Sequence, residues 1–391
     1  MTEKPDHKRE TLVITAGRDP HANFGVVNPP VYHASTILYP TYKSLSDRSQ
    51  PYTYGRRGTP TTAALQQAIT ALEGGHNTVL TPSGLSAVTT ALLAHLKAGD
   101  HLLMVDSVYG PSRAFCDKML TQIGVEVDYY DPRIGAGISS LMKSNTTVVY
   151  TESPGSNSFE IQDIPAIVKA AHAGGAIVMA DNTYGAGYYY RPIEHGVDVS
   201  IQAITKYLCG HSDVMMGSIT TNETAWKATI AAHGTLGQTA APDDVYLVLR
   251  GIRTLGVRLE RHMQTGITLA RWLEARPEVA QVIHPALESH PDHALWKRDF
   301  TGACGLFSFV LKPCSETALA ALLDNLDLYG MGYSWGGYES LIVPQDMTKY
   351  RTVTSGDFGG QLIRVHAGLE NIEDLKADLV HGFACMAAVG D

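Results

Sequence analysis

Short apolar runs alternate with longer segments of helical period through much of this chain. The runs fall at 78–80, 101–105, 125–130, 147–151, 176–180 and 199–205, and segments 83–96, 111–123 and 164–173 between them carry apolar residues at helical spacing. Apolar runs without polar alternation predict strands buried on both faces. The pattern therefore predicts an α/β fold with a mainly parallel sheet and helices packed on each side. Ligands of such sheets bind beyond the carboxyl ends of the strands, so the residues after each run are the place to look for chemistry.

The flanks read differently. Residues 1–55 are rich in Pro, His, Tyr and Ser, and NPPVYHAST and LYPTY predict extended or turn backbone, an arm rather than a domain. Helical period runs from 62 to 72 and stops at Gly74-Gly75, where glycine can end a helix. A long helical stretch near 243–275 leads to a second group of elements, strands at 305–311 and 362–366 and helices at 316–326 and 372–386. The predicted division is an arm at 1–55, a large domain at 56–250 and a smaller C-terminal α/β domain at 251–391.

Four strand ends carry reactive or ligand-binding groups. TPSGLSAV puts Ser83, Gly84 and Leu85 at a helix start, either a plain cap by Ser83 or a nest of amides for an anion such as phosphate. DSVYGPS leaves Tyr109 at the end of the second run, and DNTYGAG follows GAIVMA with Asp181, which either caps a turn or meets a cation. SIQAITKYLCGHSD then delivers Lys206 straight from a buried run. An ammonium there is either a snorkelling surface group or an amine with a use.

Composition narrows the choice. The 391 residues are 44% hydrophobic and 18% charged, an ordinary globular balance, and the net charge of -9 with no basic run argues against a nucleic-acid partner. The opening MTEKPDHKRE has no apolar core and predicts no secretory leader, and no apolar run is long enough to span a bilayer. Five scattered cysteines without a CxxC pair predict reduced thiols in the cytoplasm and no metal site.

One ligand uses all four strand ends. Pyridoxal 5'-phosphate needs an amine for a Schiff base, a carboxylate at its pyridine nitrogen, an aromatic face over its ring and an anion nest for its phosphate. Lys206, Asp181, Tyr109 and the Gly84-Leu85 amides would supply these in turn. The chain at this point resembles the pyridoxal-phosphate-dependent enzymes of Cys/Met metabolism, which are of fold type I. The likeness runs from about residue 52 to the end and is carried by YTYGRRGTPT, TPSGLSAV, ESPGS, ADNTY, SIQAITKYLCGHSD, RGIRTLGVRL, YSWGGYESL and LIRVHAGLE.

The resemblance implies a seven-stranded sheet, the Lys206 linkage, Asp181 at the pyridine nitrogen, stacking by Tyr109, and phosphate binding by Gly84, Leu85 and the Thr205 hydroxyl. It implies that Tyr54 and Arg56 reach the phosphate of a neighbouring subunit, in a homotetramer of two active dimers. Arg364, helped by Ser334 and Trp335, would hold the substrate α-carboxylate. Tyr333 would line the pocket and Arg57 would face a distal carboxylate. The implied activity is β-elimination of L-cystathionine to homocysteine, pyruvate and ammonia, towards methionine, with other cysteine S-conjugates as further substrates. The γ-acting lyases and synthases of the family and a cysteine desulfhydrase are alternatives; an aminotransferase and a non-catalytic regulatory protein are more distant ones. Two positions depart from the family pattern: Ala203 stands where many relatives have Ser, and Ser156 where many have Asn.

Overall fold

The structure, a computed structural model, describes residues 7–389. The first six residues of the charged opening and the last two of the predicted C-terminal domain lie outside the described residues. Seven strands form the larger sheet: β1 (Asn77–Thr81), β2 (His101–Val105), β3 (Glu126–Tyr130), β4 (Thr146–Glu152), β5 (Ile177–Asp181), β6 (Val199–Ala203) and β7 (Gly217–Thr221). Their order across the sheet is β1-β7-β6-β5-β4-β2-β3. The pairs from β6 to β3 are parallel, and β7 runs against both its neighbours. Helices Gly84–His95 and Ile164–Ala173 lie close to the predicted ranges, as parallel connections require.

β7 lies outside the predicted runs, because GSITT is too polar to read as a buried strand. All five of its residues are nevertheless buried. One of its hydroxyls is satisfied across the sheet, with Thr220 bonded to Thr78 at 2.8 Å and Thr78 to Thr70 at 2.7 Å. Once paired, buried hydroxyls cost little. Three further expectations are corrected. The sixth strand stops at Ala203, short of 205; segment 111–123 becomes a short helix, Gly110–Phe115, continued by a π-helical turn; and 243–275 is two helices, Pro242–Ile252 and Leu255–Glu274. The last break falls where Arg253 turns its guanidinium onto the carbonyls of Val13 and Ala16, at 2.8 and 2.9 Å. Those carbonyls end helix Arg9–Thr15, a helix within the segment read as an arm.

The second sheet holds β8 (Val279–Ile283), β9 (Leu306–Leu311), β10 (Leu341–Gln345) and β11 (Gln361–His366) in the order β10-β11-β9-β8, antiparallel throughout. Helices Glu316–Leu323 and Ile372–Val389 cover it. Helix Leu255–Glu274 serves both apolar cores: Leu255 and Leu259 belong to that of the larger sheet, and Leu269, Ala270 and Leu273 to that of the smaller. Residues of β10, β11 and their loops thereby reach the carboxyl ends of β2, β4, β5 and β6.

Candidate active site

Lys206 sits one short turn beyond β6. Its backbone N–H donates to Ala203 O at 3.1 Å, and its carbonyl accepts from Gly210 at 2.8 Å. Its amine donates to Ser334 Oγ at 2.5 Å and lies 5.5 Å from the Trp335 ring. Burial pushes the ammonium down to about 8; Arg364 acts in the same direction and Asp181 against it. Gly336 explains how Ser334 and Trp335 come so near. Its φ is +84°, and a Cβ there would stand 2.8 Å from Tyr207 N and 2.9 Å from the Lys206 carbonyl carbon. Only glycine fits that backbone-on-backbone contact.

Asp181 closes β5. It accepts Thr183 N–H at 3.0 Å and Thr183 Oγ at 2.6 Å, while Thr183 Oγ accepts the Ala203 N–H at 2.9 Å and so ties the ends of β5 and β6 together. Burial raises the carboxyl, and Thr183 and Lys206 pull it back. Tyr109, 45% exposed, turns out of β2 with its N–H on Glu152 Oε2 at 2.8 Å. Burial, Asp181 and Glu152 raise its phenol, with Arg364 opposing.

The start of helix Gly84–His95 stands against these strand ends. Ser83 caps it by accepting from Ser86 N–H at 3.1 Å, which leaves the Gly84 and Leu85 amides without an acceptor inside the helix. A Cβ on Gly84 would come within 2.5 Å of Ala203 Cβ, and one on Gly217 within 2.4 Å of Ser83 O. Ala203 therefore packs on the cradle without offering it a hydroxyl. The Thr205 hydroxyl donates to Met216 O at 3.2 Å and accepts Met216 N–H at 3.0 Å.

Arg364, on β11, donates to Asn157 Oδ1 at 3.4 Å and to Ser334 O at 3.2 Å. Burial pushes the guanidinium down to about 10, with Tyr109 and Tyr333 opposing. Ser334 is held at φ +85°, a conformation L-residues seldom adopt. Tyr333 is 84% exposed at the rim. The loop after β10 forms the neighbouring wall, and it is fixed by one carboxylate. Asp106 accepts from Thr352 N–H at 3.0 Å, Val353 N–H at 3.2 Å, Thr354 N–H at 2.9 Å, both threonine hydroxyls and Arg113. Arg351 binds Glu160 at 3.0 Å behind it. Burial opposes ionisation of Asp106, but these donors hold its carboxyl below the usual range.

Tyr54, Arg56 and Arg57 make their contacts away from this cluster. Arg56 donates to Gly234 O at 3.0 Å, Arg57 packs onto Gly234, and Tyr54 is 46% exposed. Several residues of the site were missed in the sequence. Glu152 and Thr183 stand inside the ESPGS and ADNTY motifs, and Glu152 carried a signal, a polar group at the end of an apolar run. Asp106 carried the same signal, but Arg351 lies 245 positions away and nothing local links the two. Ser156 spends its N–H on Ser107 O at 2.8 Å, and the neighbouring Asn157 supplies the amide beside Arg364.

An amine with a depressed pKa, a carboxylate across from it, an aromatic at the rim and amides without acceptors in a cradle only glycine permits fit pyridoxal phosphate in each functional part. A parallel sheet with that donor set at its strand ends defines a pyridoxal-phosphate-dependent α/β enzyme. The chain belongs to the Cys/Met metabolism PLP-dependent enzyme family, whose profile matches residues 10–384. It is 45% identical over 390 residues to a Salmonella typhimurium protein named cystathionine beta-lyase, covering 97% of this chain and 99% of that one. It is 40% identical to the L-alanine/L-glutamate racemase of Wolbachia pipientis, covering 95% and 96%. Among solved structures, metB from Corynebacterium glutamicum superposes with a TM-score of 0.89 at 30% identity, covering 97% of this chain and 98% of that one.

Proposed function

We propose that this enzyme cleaves the Cβ–S bond of L-cystathionine, giving homocysteine, pyruvate and ammonia. The observation that carries the reading is the Lys206 amine, held with a depressed pKa between Asp181 and Arg364. The full-length likeness to a named β-lyase supports the choice of bond. Bound pyridoxal phosphate supplies an electron sink conjugated with the substrate Cα. Arg364 binds the α-carboxylate by two N–H donors, and Ser334, Trp335 and Tyr333 shape the space around it. Lys206 Nζ takes the Cα proton and returns a proton to the departing sulfur, with Tyr109 as the other group able to carry it. Asp181 keeps the proton on the pyridine nitrogen. Gly84 and Leu85 amides would hold the phosphate, joined by the Thr205 hydroxyl if it turns from Met216 O.

Tyr54 and Arg56 serve the site of a second copy in this reading, and Arg57 faces the distal carboxylate of the substrate. A shared site calls for an active dimer, and the family resemblance extends this to a homotetramer of two such dimers. We place the enzyme in the cytoplasm and in methionine biosynthesis, and divide it into arm 1–55, large domain 56–250 and C-terminal domain 251–391. Among the described residues no helix is long and apolar enough to cross a membrane.

Incubation of the cofactor-loaded protein with L-cystathionine, followed by mass spectrometry, tests the reaction. Homocysteine with pyruvate is the expected outcome. Cysteine with 2-oxobutyrate moves the cut to Cγ, and intact cystathionine together with racemisation of separately supplied L-alanine or L-glutamate, read by chiral chromatography, refutes the lyase reading.

A further inference from the structure

Glu152 lies in this site without a role in the mechanism above. It ends β4 and is paired in register with Asp181, which ends β5. Registered residues on neighbouring parallel strands are about 4.8 Å apart and project from the same face, so two carboxyl groups share one small space. Two anions so placed are costly, and one carboxyl gives way. The partners decide which. Asp181 accepts two bonds from Thr183 and faces the Lys206 ammonium, and both favour its ionised form. Glu152 accepts the Tyr109 N–H at 2.8 Å. The charged groups facing it are Asp181 on β5, Arg351 in the loop after β10 and Glu160 after β4, two anions against one cation. The Tyr150 phenol, two residues back on β4, has the same two carboxyls among its neighbours. Burial first and Asp181 second lift the Glu152 carboxyl well above its ordinary range; the Tyr109 amide and Arg351 do not offset them.

We propose that Glu152 is a positioning residue: as an uncharged carboxylic acid it fixes the main chain of Tyr109 and leaves Asp181 the sole anion at this pair of strand ends. The inference rests on the pyridoxal-phosphate reading of Asp181 and Tyr109. An uncharged carboxyl or amide oxygen still accepts the Tyr109 N–H. It adds no second negative charge to compete with Asp181 for the ring-nitrogen proton.

Glutamine has the shape and charge of the protonated acid, so Glu152→Gln and Glu152→Ala separate the two parts of the claim. Infrared difference spectra of the full-chain apoprotein, wild type against Glu152→Gln, are recorded above the pH near 7 where Glu73 titrates. They should show the loss of one protonated-carboxyl C=O band. In the loaded enzyme Glu152→Gln should keep kcat/KM within about threefold, with the acid limb of the pH profile unmoved. Glu152→Ala should lower kcat/KM by about ten- to a hundredfold as Tyr109 loses its anchor. Loss of a carboxylate band instead, or a glutamine variant as slow as the alanine one, overturns the proposal. Loss of the protonated band in a protein that leaves cystathionine intact would refute the reaction proposed above and support the assignment of Glu152.

Discussion

The most direct quantitative consequence of the site concerns the Lys206 amine before any cofactor binds. Its pKa of about 8 lies below the free-lysine value of 10.5. That shift corresponds to roughly 3 kcal/mol at ~1.36 kcal/mol per unit. At pH 7.5 roughly a quarter of the molecules then carry the reactive neutral amine, against about one in a thousand for an ordinary lysine. Competitive labelling of the apoprotein with acetic anhydride, read by mass spectrometry of the Lys206 peptide, should give a titration midpoint near 8. Arg364→Gln removes a charge that lowers the pKa and should move the midpoint up; Asp181→Asn removes one that raises it and should move the midpoint down. Stability supplies a second reading with a fixed sign. The unfolded lysine binds a proton more tightly than the folded one, so this group's penalty on the fold is complete below pH 8 and is relieved as the pH rises towards 10.5. Lys206→Met should therefore raise the apoprotein Tm at neutral pH, by an amount that shrinks across that window. A labelling midpoint near that of free lysine, or a Tm gain that grows with pH, would refute the electrostatic account of this amine.

Three further substitutions bear on the frame around it. Gly336→Ala forces a Cβ onto the Lys206 backbone at φ +84°, with an expected cost of about 2–5 kcal/mol in denaturant unfolding and a fall in kcat/KM as Ser334 and Trp335 are pushed back. Asp106→Asn leaves Arg113 and Arg351 short of a counter-charge and should cost about 3–5 kcal/mol; an unchanged Tm would show that the loop is held by other contacts. Ala203→Ser offers the cradle a hydroxyl and should tighten cofactor retention by about 1 kcal/mol, roughly fivefold in Kd by equilibrium dialysis.

The sequence and the structure differ most where polarity hides burial or where contacts are long-range. β2 and β5 were legible because their apolar runs have no reason to exist except in a doubly covered sheet. Lys206 and Asp181 were legible because each interrupts such a run at its end. β7 was not, because a strand of Ser and Thr looks exposed until the hydroxyl ladder through Thr78 and Thr220 is seen. The Asp106 anchorage was not, because nothing local in the sequence links it to Thr352–Thr354. Gly336 belongs to the YSWGGYESL motif, but its reason, contact with the Lys206 backbone, exists only in three dimensions.

The Asp106 anchorage gives the rim two unequal sides. On one, the loop around Arg351 is welded to the strand that delivers Tyr109, so every change there is also a change in stability. On the other, Tyr333 stands 84% exposed. Tolerance for a different or bulkier thioether should be sought among variants of Tyr333. A library spread evenly around the rim would lose most of its members on the anchored side to unfolding.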